Sequence, residues 1–267
     1  MSFELQYVDY PAQGGPFCYA YIPWDSELFD TQFYELRFSD RCADVDRLLP
    51  LWQASFPAAG CGFACAKLSP DRVELTANLS KHGFYPVETM IETSRNLSDF
   101  KPVYPVDRPD LELRRGQEED MPELMRIAAC AFFRDRFHLD SSLSSDKADR
   151  RYAKWVENGF CAGEDFLVFE DVRKGTTLGF FHLREAAESI VDISLAALDP
   201  KYQGLGLGAQ MYQALVLEYR RLGYKRIQTR ISINNTAVLN LYAHLGFTFR
   251  NPLLTLHCSL PKRQSIG

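Results

Sequence analysis

The stretch Asp199-Pro200-Lys201-Tyr202-Gln203-Gly204-Leu205-Gly206-Leu207-Gly208-Ala209 (DPKYQGLGLGA) lies between an apolar run, Ile190 to Leu198, and a segment with helical periodicity. In that segment Leu207, Met211, Leu215, Tyr219 and Leu222 share one face, and Gly223 ends it. The order is therefore strand, glycine-rich loop, helix. Glycines allow the backbone to come close to a ligand, and a helix N-terminus offers unpaired N–H groups and a positive dipole end to an anion. The expected occupant is a diphosphate. Neither common nucleotide loop fits, because Gly204, Gly206 and Gly208 are spaced GxGxG rather than GxGxxG, and no Gly-Lys-Ser/Thr ending is present.

Downstream, Ile227, Thr229, Ile231 and Ile233 alternate as in a strand, and a helix from Thr236 to Leu245 stops at Gly246 before a final strand pair. Upstream, LELRR from Leu111 reads as a strand, followed by a helix from Glu119 to Phe133 with Pro122 near its start. A polar, turn-rich segment, RDRFHLDSSLSS, then leads to a helix from Asp146 to Asn158. DFLVFE and LGFFHLRE flank the turn signal VRKGTT, and IVDISLAAL completes an antiparallel meander. The pattern predicts an α/β chain of the α+β type: a mixed, mostly antiparallel sheet flanked by helices.

The 267 residues exceed the usual ~100–150 of one compact core, and the proline-rich run KPVYPVDRPD (101–110) resists helix and ladder alike. The boundary is placed there, giving units 1–105 and 106–267. The first unit reads as strand (CGFACAKL), helix to His82, and strand (FYPVETMIETSRNL). NLSKHGF (78–84) echoes NLYAHLGF (240–247), with Ser80 opposite Tyr242 and no glycine loop before it. An imperfect duplication is expected, with the cofactor site in the C-terminal half only.

Composition excludes other classes. The net charge of −5 comes without a long basic run, so no nucleic acid partner is expected. No stretch reaches the ~20 apolar residues of a membrane span, and the N-terminus lacks a secretory pattern, so the expected location is cytoplasmic. Seven scattered cysteines without a CxxC pair read as reduced thiols, and no histidines stand at metal-ligand spacing.

The run Gln203 to Gly208, together with LAALDP before it and NTAVLNLYAHLGF after it, resembles the GNAT superfamily of N-acetyltransferases from about Leu111 to Leu260. The resemblance implies a GNAT fold with an N-terminal partial GNAT-like unit, acetyl-CoA as co-substrate and no metal. It implies diphosphate contacts from the backbone of Gln203, Gly204, Leu205, Gly206, Leu207, Gly208 and Ala209. Pantetheine would pair along Leu195, Ala196, Ala197 and Leu198, and Asn235 would touch the cofactor arm. Tyr242 would protonate the departing thiolate, since a phenol of ordinary pKa ~10 stays protonated at neutral pH.

Within the superfamily the chain most resembles the dTDP-fucosamine acetyltransferases, through WDSELFD (24–30), HGFYPVET (82–89), AFFRDRFHLD (131–140), RRYAKWVENGF (150–160) and HLRE (182–185). A nucleotide-linked amino sugar is then the implied acceptor. Arginine forks suit its diphosphate and polar groups its hydroxyls, which makes Arg134, Arg136, His138 and Asp140 candidate acceptor residues. Glu185, Asp192, His138 and His182 remain alternatives for the general base. Two rival readings stay open: the same chemistry on a peptide, lysine or small-molecule amine, and an acyl-CoA-binding module without transfer. The C-terminal edge strand is compatible with a homodimer.

Overall fold

A computed structural model describes residues 5–11, 15–39, 45–55, 62–105 and 108–260. In chain order the elements are β1 (Val8–Tyr10), β2 (Phe17–Tyr21), α1 (Pro23–Phe29), β3 (Gln32–Phe38), α2 (Val45–Ala54), β4 (Gly62–Leu68), α3 (Val73–Lys81), β5 (Tyr85–Asn96) and β6 (Leu111–Arg115). They continue with α4 (Met121–Ala131), α5 (Arg136–Leu139), α6 (Ser145–Cys161), β7 (Asp165–Asp171), β8 (Thr176–Ala187), β9 (Ile190–Leu198), α7 (Leu207–Arg221), β10 (Arg226–Ser232), α8 (Thr236–His244) and β11 (Thr248–Leu260). The chain divides into two compact units. One comprises residues 91–138 and 148–250, and the other residues 2–90, 139–147 and 251–267. The residues at 106 and 107, where the sequence places its boundary, lie outside the described set.

In the unit holding the glycine loop, β10, β9, β8, β7 and β6 are neighbours in that order. β9 pairs parallel with β10, and the β9–β8–β7–β6 meander is antiparallel throughout, as the alternation and the VRKGTT turn predict. One face packs α7 and α8 through Met211, Tyr212, Leu215, Val216 and Tyr242, with Phe247 just beyond α8, against Leu183, Val191 and Ile193. The other packs α4 and α6 through Leu124, Ile127, Tyr152 and Val156 against Phe166, Phe180, Leu195 and Ala197. Gly179 of β8 is a contact that only glycine permits, since a Cβ there would lie 2.4 Å from Ala197 O. The proline-rich run is tied to α7, where Gln213 Oε1 accepts from the N–H groups of Val103 and Tyr104 at 2.7 and 2.9 Å.

In the other unit β1, β2, β3, β4 and β11 follow one another, antiparallel except for parallel β3 and β4. Trp52, Leu49 and Leu79 from α2 and α3 close its core over Leu36, Ala64 and Leu256. The sequence echo has a structural counterpart in the two units. Phe84 N–H donates to Leu79 O at 3.1 Å and Phe247 N–H to Tyr242 O at 2.9 Å, each past a glycine of positive φ, Gly83 at 86° and Gly246 at 75°. This shared helix ending sets Tyr242 opposite Leu79, not Ser80.

Local expectations differ at several places: the C-terminal strand, expected at an edge, is not an edge strand of the sheet order, and Ile233 lies past the end of β10 and is exposed. The turn-rich segment contains the short helix α5. Leu222, expected on the buried face of α7, is the C-cap and 52% exposed, because the helix yields to Gly223 before that face continues. The final strand pair is one 13-residue strand, β11: Asn251 takes φ 51°, so the Asn-Pro pair bends the strand without ending it.

Candidate functional site

The glycine loop begins where β9 ends. Asp199, buried, caps a short 3-10 turn by accepting from Lys201 N–H at 3.0 Å, while Asp199 N–H donates to Leu178 O at 2.8 Å. Its second carboxylate oxygen is paired with Arg126 of α4, which also grips Glu123 through two bonds of 2.9 and 2.7 Å. The loop is thus fastened to the sheet and to α4 before the glycines begin. Burial works against the Asp199 carboxylate, but the Lys201 amide and Arg126 outweigh it and hold its pKa below the ordinary range. Gln203 Nε2 reaches back to Leu198 O at 3.3 Å.

Beyond Gln203 the backbone is bare. Gly204 and Gly206 have φ of 79° and 74°, and no atom lies within 4 Å of where a Cβ would stand at Gly204, Gly206 or Gly208. Gly206 is the N-cap of α7 and provides no side-chain cap, so the first-turn N–H groups of Leu207, Gly208 and Ala209 face the open side of the loop. A 15-residue helix adds its dipole behind them. This is a fitting cradle for a diphosphate: positive backbone, no side chain to displace, and a rigidly held entry.

Next to the cradle, the ladder between β9 and β10 is incomplete. Ile190, Val191 and Asp192 pair with Arg226, Ile227 and Gln228, and no further pairs follow among the described residues. Ile193 O accepts from the Thr229 hydroxyl at 2.8 Å. Leu195 to Leu198 are paired with β8 on one edge only, through His182, Phe181, Phe180 and Gly179. Their other edge offers backbone donors and acceptors to an extended amide-bearing chain. The register also slips by one residue between His182/Leu183 and Leu195/Ile193, so Ser194 is an extra residue, a bulge. The bulge changes which face successive side chains take: Val191 and Ile193 join the α7 side, whereas Leu195 and Ala197 join the α4 and α6 side.

Polar groups gather just before this bulge. Asp192 is the register partner of Arg184 on β8 and Gln228 on β10. Burial raises the pKa of its carboxyl, while a hydrogen bond with Gln228 and the charges of Arg230 and Arg184 work the other way. Arg184 Nη2 lies 2.7 Å from Glu164 Oε1, and Arg230 Nη2 lies 2.6 Å from Glu92 Oε1. His182 is fully buried and stacked on Phe166; its Nε2 is 2.7 Å from Glu164 Oε2 but without the angle of a hydrogen bond, and burial lowers its pKa. Glu185 is exposed near the end of the β8–β9 hairpin, opposite Val191.

Tyr242 is 2% exposed, with its ring stacked on Phe247 and its hydroxyl donating to Tyr212 Oη at 3.1 Å. Burial, then Tyr212, raises its pKa well above the ordinary value, so the phenol is neutral. Asn235 caps α8 by accepting from Val238 N–H at 3.4 Å, and its Oδ1 also accepts from Arg134 Nη1 at 3.4 Å. Thus Arg134 and Asn235, distant in sequence, meet.

The other expected acceptor residues separate. Arg136 stacks on Phe137 at 4.6 Å. His138 is enclosed by Asp135 at 2.5 Å and Asp149 at 3.0 Å; burial disfavours its charge, but the two carboxylates outweigh this and raise its pKa. Both ring nitrogens are taken up by carboxylates, which leaves neither open to an acceptor amine. Asp140 belongs to the other unit, where it binds His257 Nδ1 at 2.7 Å, Tyr85 Oη at 2.9 Å and the Ser142 hydroxyl at 2.7 Å. Sequence reasoning did not find Arg126, Glu164 or the Ser194 bulge. Asp199 was visible only as part of the loop, and its partner stands 73 positions away. No group of three metal-ligating residues occurs among the described residues, and no described helix is long and apolar enough to cross a membrane.

Residues 121–247 match the model of a family described as acetyltransferase (GNAT) family. A mycothiol acetyltransferase from Mycolicibacterium gilvum is 29% identical over 177 residues, 63% of this chain and 55% of that protein. A dTDP-fucosamine acetyltransferase from Escherichia coli is 32% identical over 133 residues, 49% of this chain and 56% of that protein. The chain thus spans about half the length of the curated relatives it matches. Among solved structures, a GCN5-related N-acetyltransferase from Sphaerobacter thermophilus superposes with a TM-score of 0.67 at 13% identity, covering 93% of this chain and 78% of that one. That likeness shows the fold, the GNAT fold expected from the glycine loop and its flanks.

Proposed function

We propose that this chain, which carries a GNAT acetyltransferase domain over residues 121–247, transfers the acetyl group of acetyl-CoA to a small-molecule amine, with a nucleotide-linked amino sugar as acceptor. One observation carries the reading: a bare glycine cradle at the start of α7 beside the unpaired edge of Leu195 to Leu198. The cradle suits the CoA diphosphate, and the strand edge suits the amides of pantetheine. A CoA arm held this way would run toward the Ser194 bulge. Acetyl-CoA is the second substrate, and the residues described supply the rest.

In the transfer the acceptor nitrogen attacks the thioester carbonyl, forming C–N, while backbone N–H groups of the Leu195 to Leu198 edge stabilise the oxyanion. The C–S bond then breaks and sulfur leaves with the electron pair. Asp192 takes the proton from nitrogen, and Tyr242 gives its phenolic proton to sulfur. For Tyr242 this requires the thioester sulfur to reach the depth at which its hydroxyl meets that of Tyr212. Glu185, exposed on the hairpin, and His138, held between two aspartates, are less suited as base.

Support for the acceptor class comes from the relative named dTDP-fucosamine acetyltransferase and from Arg134, whose guanidinium meets Asn235. The relatives named mycothiol acetyltransferase favour a second reading, in which the acceptor is of the mycothiol kind. The test is release of free CoA thiol from acetyl-CoA with nucleotide-linked amino sugars, mycothiol-type amines, peptides and polyamines. Turnover confined to nucleotide-linked amino sugars supports the first reading. Turnover confined to mycothiol-type amines replaces it with the second, and no thiol release with any amine removes the transferase reading.

A further inference from the structure

Asp192 sits in a row of groups contributed by adjacent elements, and only one of its charged neighbours is fixed by the ladder itself. Arg184 is its direct partner across β8 and β9, on the near side of the slip that creates the bulge. Arg184 is held in turn: Nη2 contacts both oxygens of Glu164, at 2.7 and 3.0 Å. Glu164 is itself fixed at the end of α6, where its N–H donates to Gly159 O at 2.9 Å and a Cβ at Gly159 would come within 3.2 Å of Oε2. On the opposite strand Gln228 is the last ladder partner of Asp192, and Arg230 lies beyond it, paired with Glu92 of β5. Arg230 also acts on the Asp192 carboxylate, from a side chain 58% exposed against 35% for Arg184. Glu92 works against ionisation of Asp192, and Tyr242 on α8 and His182 on β8 are the further titratable groups beside this row.

We infer that Arg184 is a positioning residue for the transfer: braced by Glu164, it keeps a fixed positive charge opposite Asp192 across the β8–β9 ladder. This rests on the reading of Asp192 as the base. Burial alone would favour a protonated carboxyl that accepts nothing; the Gln228 hydrogen bond and the charges of Arg230 and Arg184 oppose it, and of the two guanidinium groups Arg184 is the one set opposite Asp192 by the ladder. Its effect is exerted through Asp192.

The test compares wild type with Arg184→Met, Arg184→Gln, Arg184→Lys and Asp192→Asn. The Asp192 carboxyl is titrated by carbon NMR in the protein without substrates, and kcat/KM is followed against pH with acetyl-CoA and a dTDP-linked amino sugar. In Arg184→Met and Arg184→Gln both the carboxyl titration and the acid limb of kcat/KM should move upward by about one pH unit, the low end for loss of a nearby opposite charge because Arg184 is shared with Glu164. Arg184→Lys should restore most of the shift, and KM for acetyl-CoA should stay at its wild-type value in all three. An unmoved titration in folded Met and Gln variants overturns the inference, as does a loss of activity equal at every pH. Asp192→Asn separates the two levels. If it retains turnover, the base assignment itself fails; if it is inactive while the Arg184 variants keep the wild-type limb, only the role of Arg184 fails.

Discussion

Tyr242→Phe isolates one proton in one step, and the structure fixes what else the change disturbs. The ring stacks on Phe247 with centroids 4.7 Å apart and meets Tyr212 edge-on at 5.2 Å, so Phe keeps all the packing. What is lost is the 3.1 Å bond to the Tyr212 hydroxyl. Both tyrosines are buried, so removing one partner leaves the other polar group unsatisfied, at a cost of about 1–2 kcal/mol. For a chain of this size that corresponds to a fall in melting temperature of roughly 2–6 °C. Tyr212→Phe should cost a similar amount while leaving the Tyr242 phenol in place. The two variants then part in kinetics. If Tyr242 protonates the leaving thiolate, Tyr242→Phe should lower kcat by roughly 10²–10³-fold, about 2.7–4 kcal/mol in the barrier, while Tyr212→Phe stays within about tenfold of wild type. A thioester with a more acidic leaving thiol should shrink the Tyr242→Phe defect, because it needs less help to depart. Thiol release at saturating acetyl-CoA, with melting curves alongside, measures both effects. Equal kinetic losses in the two variants, or near-normal turnover in Tyr242→Phe, would refute the assignment and return the phenol pair to the core as a packing element.

Gly206→Val places a β-branched side chain at φ 74° and sets its methyls over the cradle, so acetyl-CoA affinity by calorimetry should fall by at least about tenfold; unchanged affinity in a folded variant would remove the loop from the site. Arg126→Ala leaves the buried Asp199 without its cation and loosens the loop entry, and KM for acetyl-CoA should rise by about tenfold with KM for the acceptor little changed. Equal rises in both would indicate a general folding defect. In the other unit, burial opposes the Asp140 carboxylate, but hydrogen bonds from His257, Ser142 and Tyr85 outweigh it and hold its pKa well below the carboxylate range. The stability this contributes is present above about pH 4 and is lost as pH falls toward the folded-state value. Wild type should therefore melt well above Asp140→Asn at pH 7, and the gap should narrow on acidification; a gap independent of pH would contradict the linkage.

What the sequence determined by itself is local in origin. The GxGxG run announced positive φ at Gly204 and Gly206 and a helix beginning at Leu207, because glycine tolerance and capping operate over a few residues. The meander β7–β8–β9 was legible from alternation and one turn, and the echo of Gly83-Phe84 in Gly246-Phe247 from a shared helix ending. Those signals also misled where a local rule was overridden. Asn251-Pro252 reads as a break yet only bends β11, and Leu222 has the right spacing but falls beyond the last turn. The site's chemistry was settled by pairings that no window of sequence contains. Which strand edge stays open depends on where the β9–β10 ladder stops, and which face Asp192 takes depends on a one-residue slip against β8. Arg126 reaches Asp199 across 73 positions, Arg134 reaches Asn235 across 101, and Asp140, adjoining in sequence to His138, binds His257 in the other unit instead. Such contacts are selected by the global minimum of packing and charge burial, in which a side chain's partner is chosen by the register and docking of whole elements. The residue types needed for the site were therefore visible in the chain, but their grouping existed only once the sheet had formed.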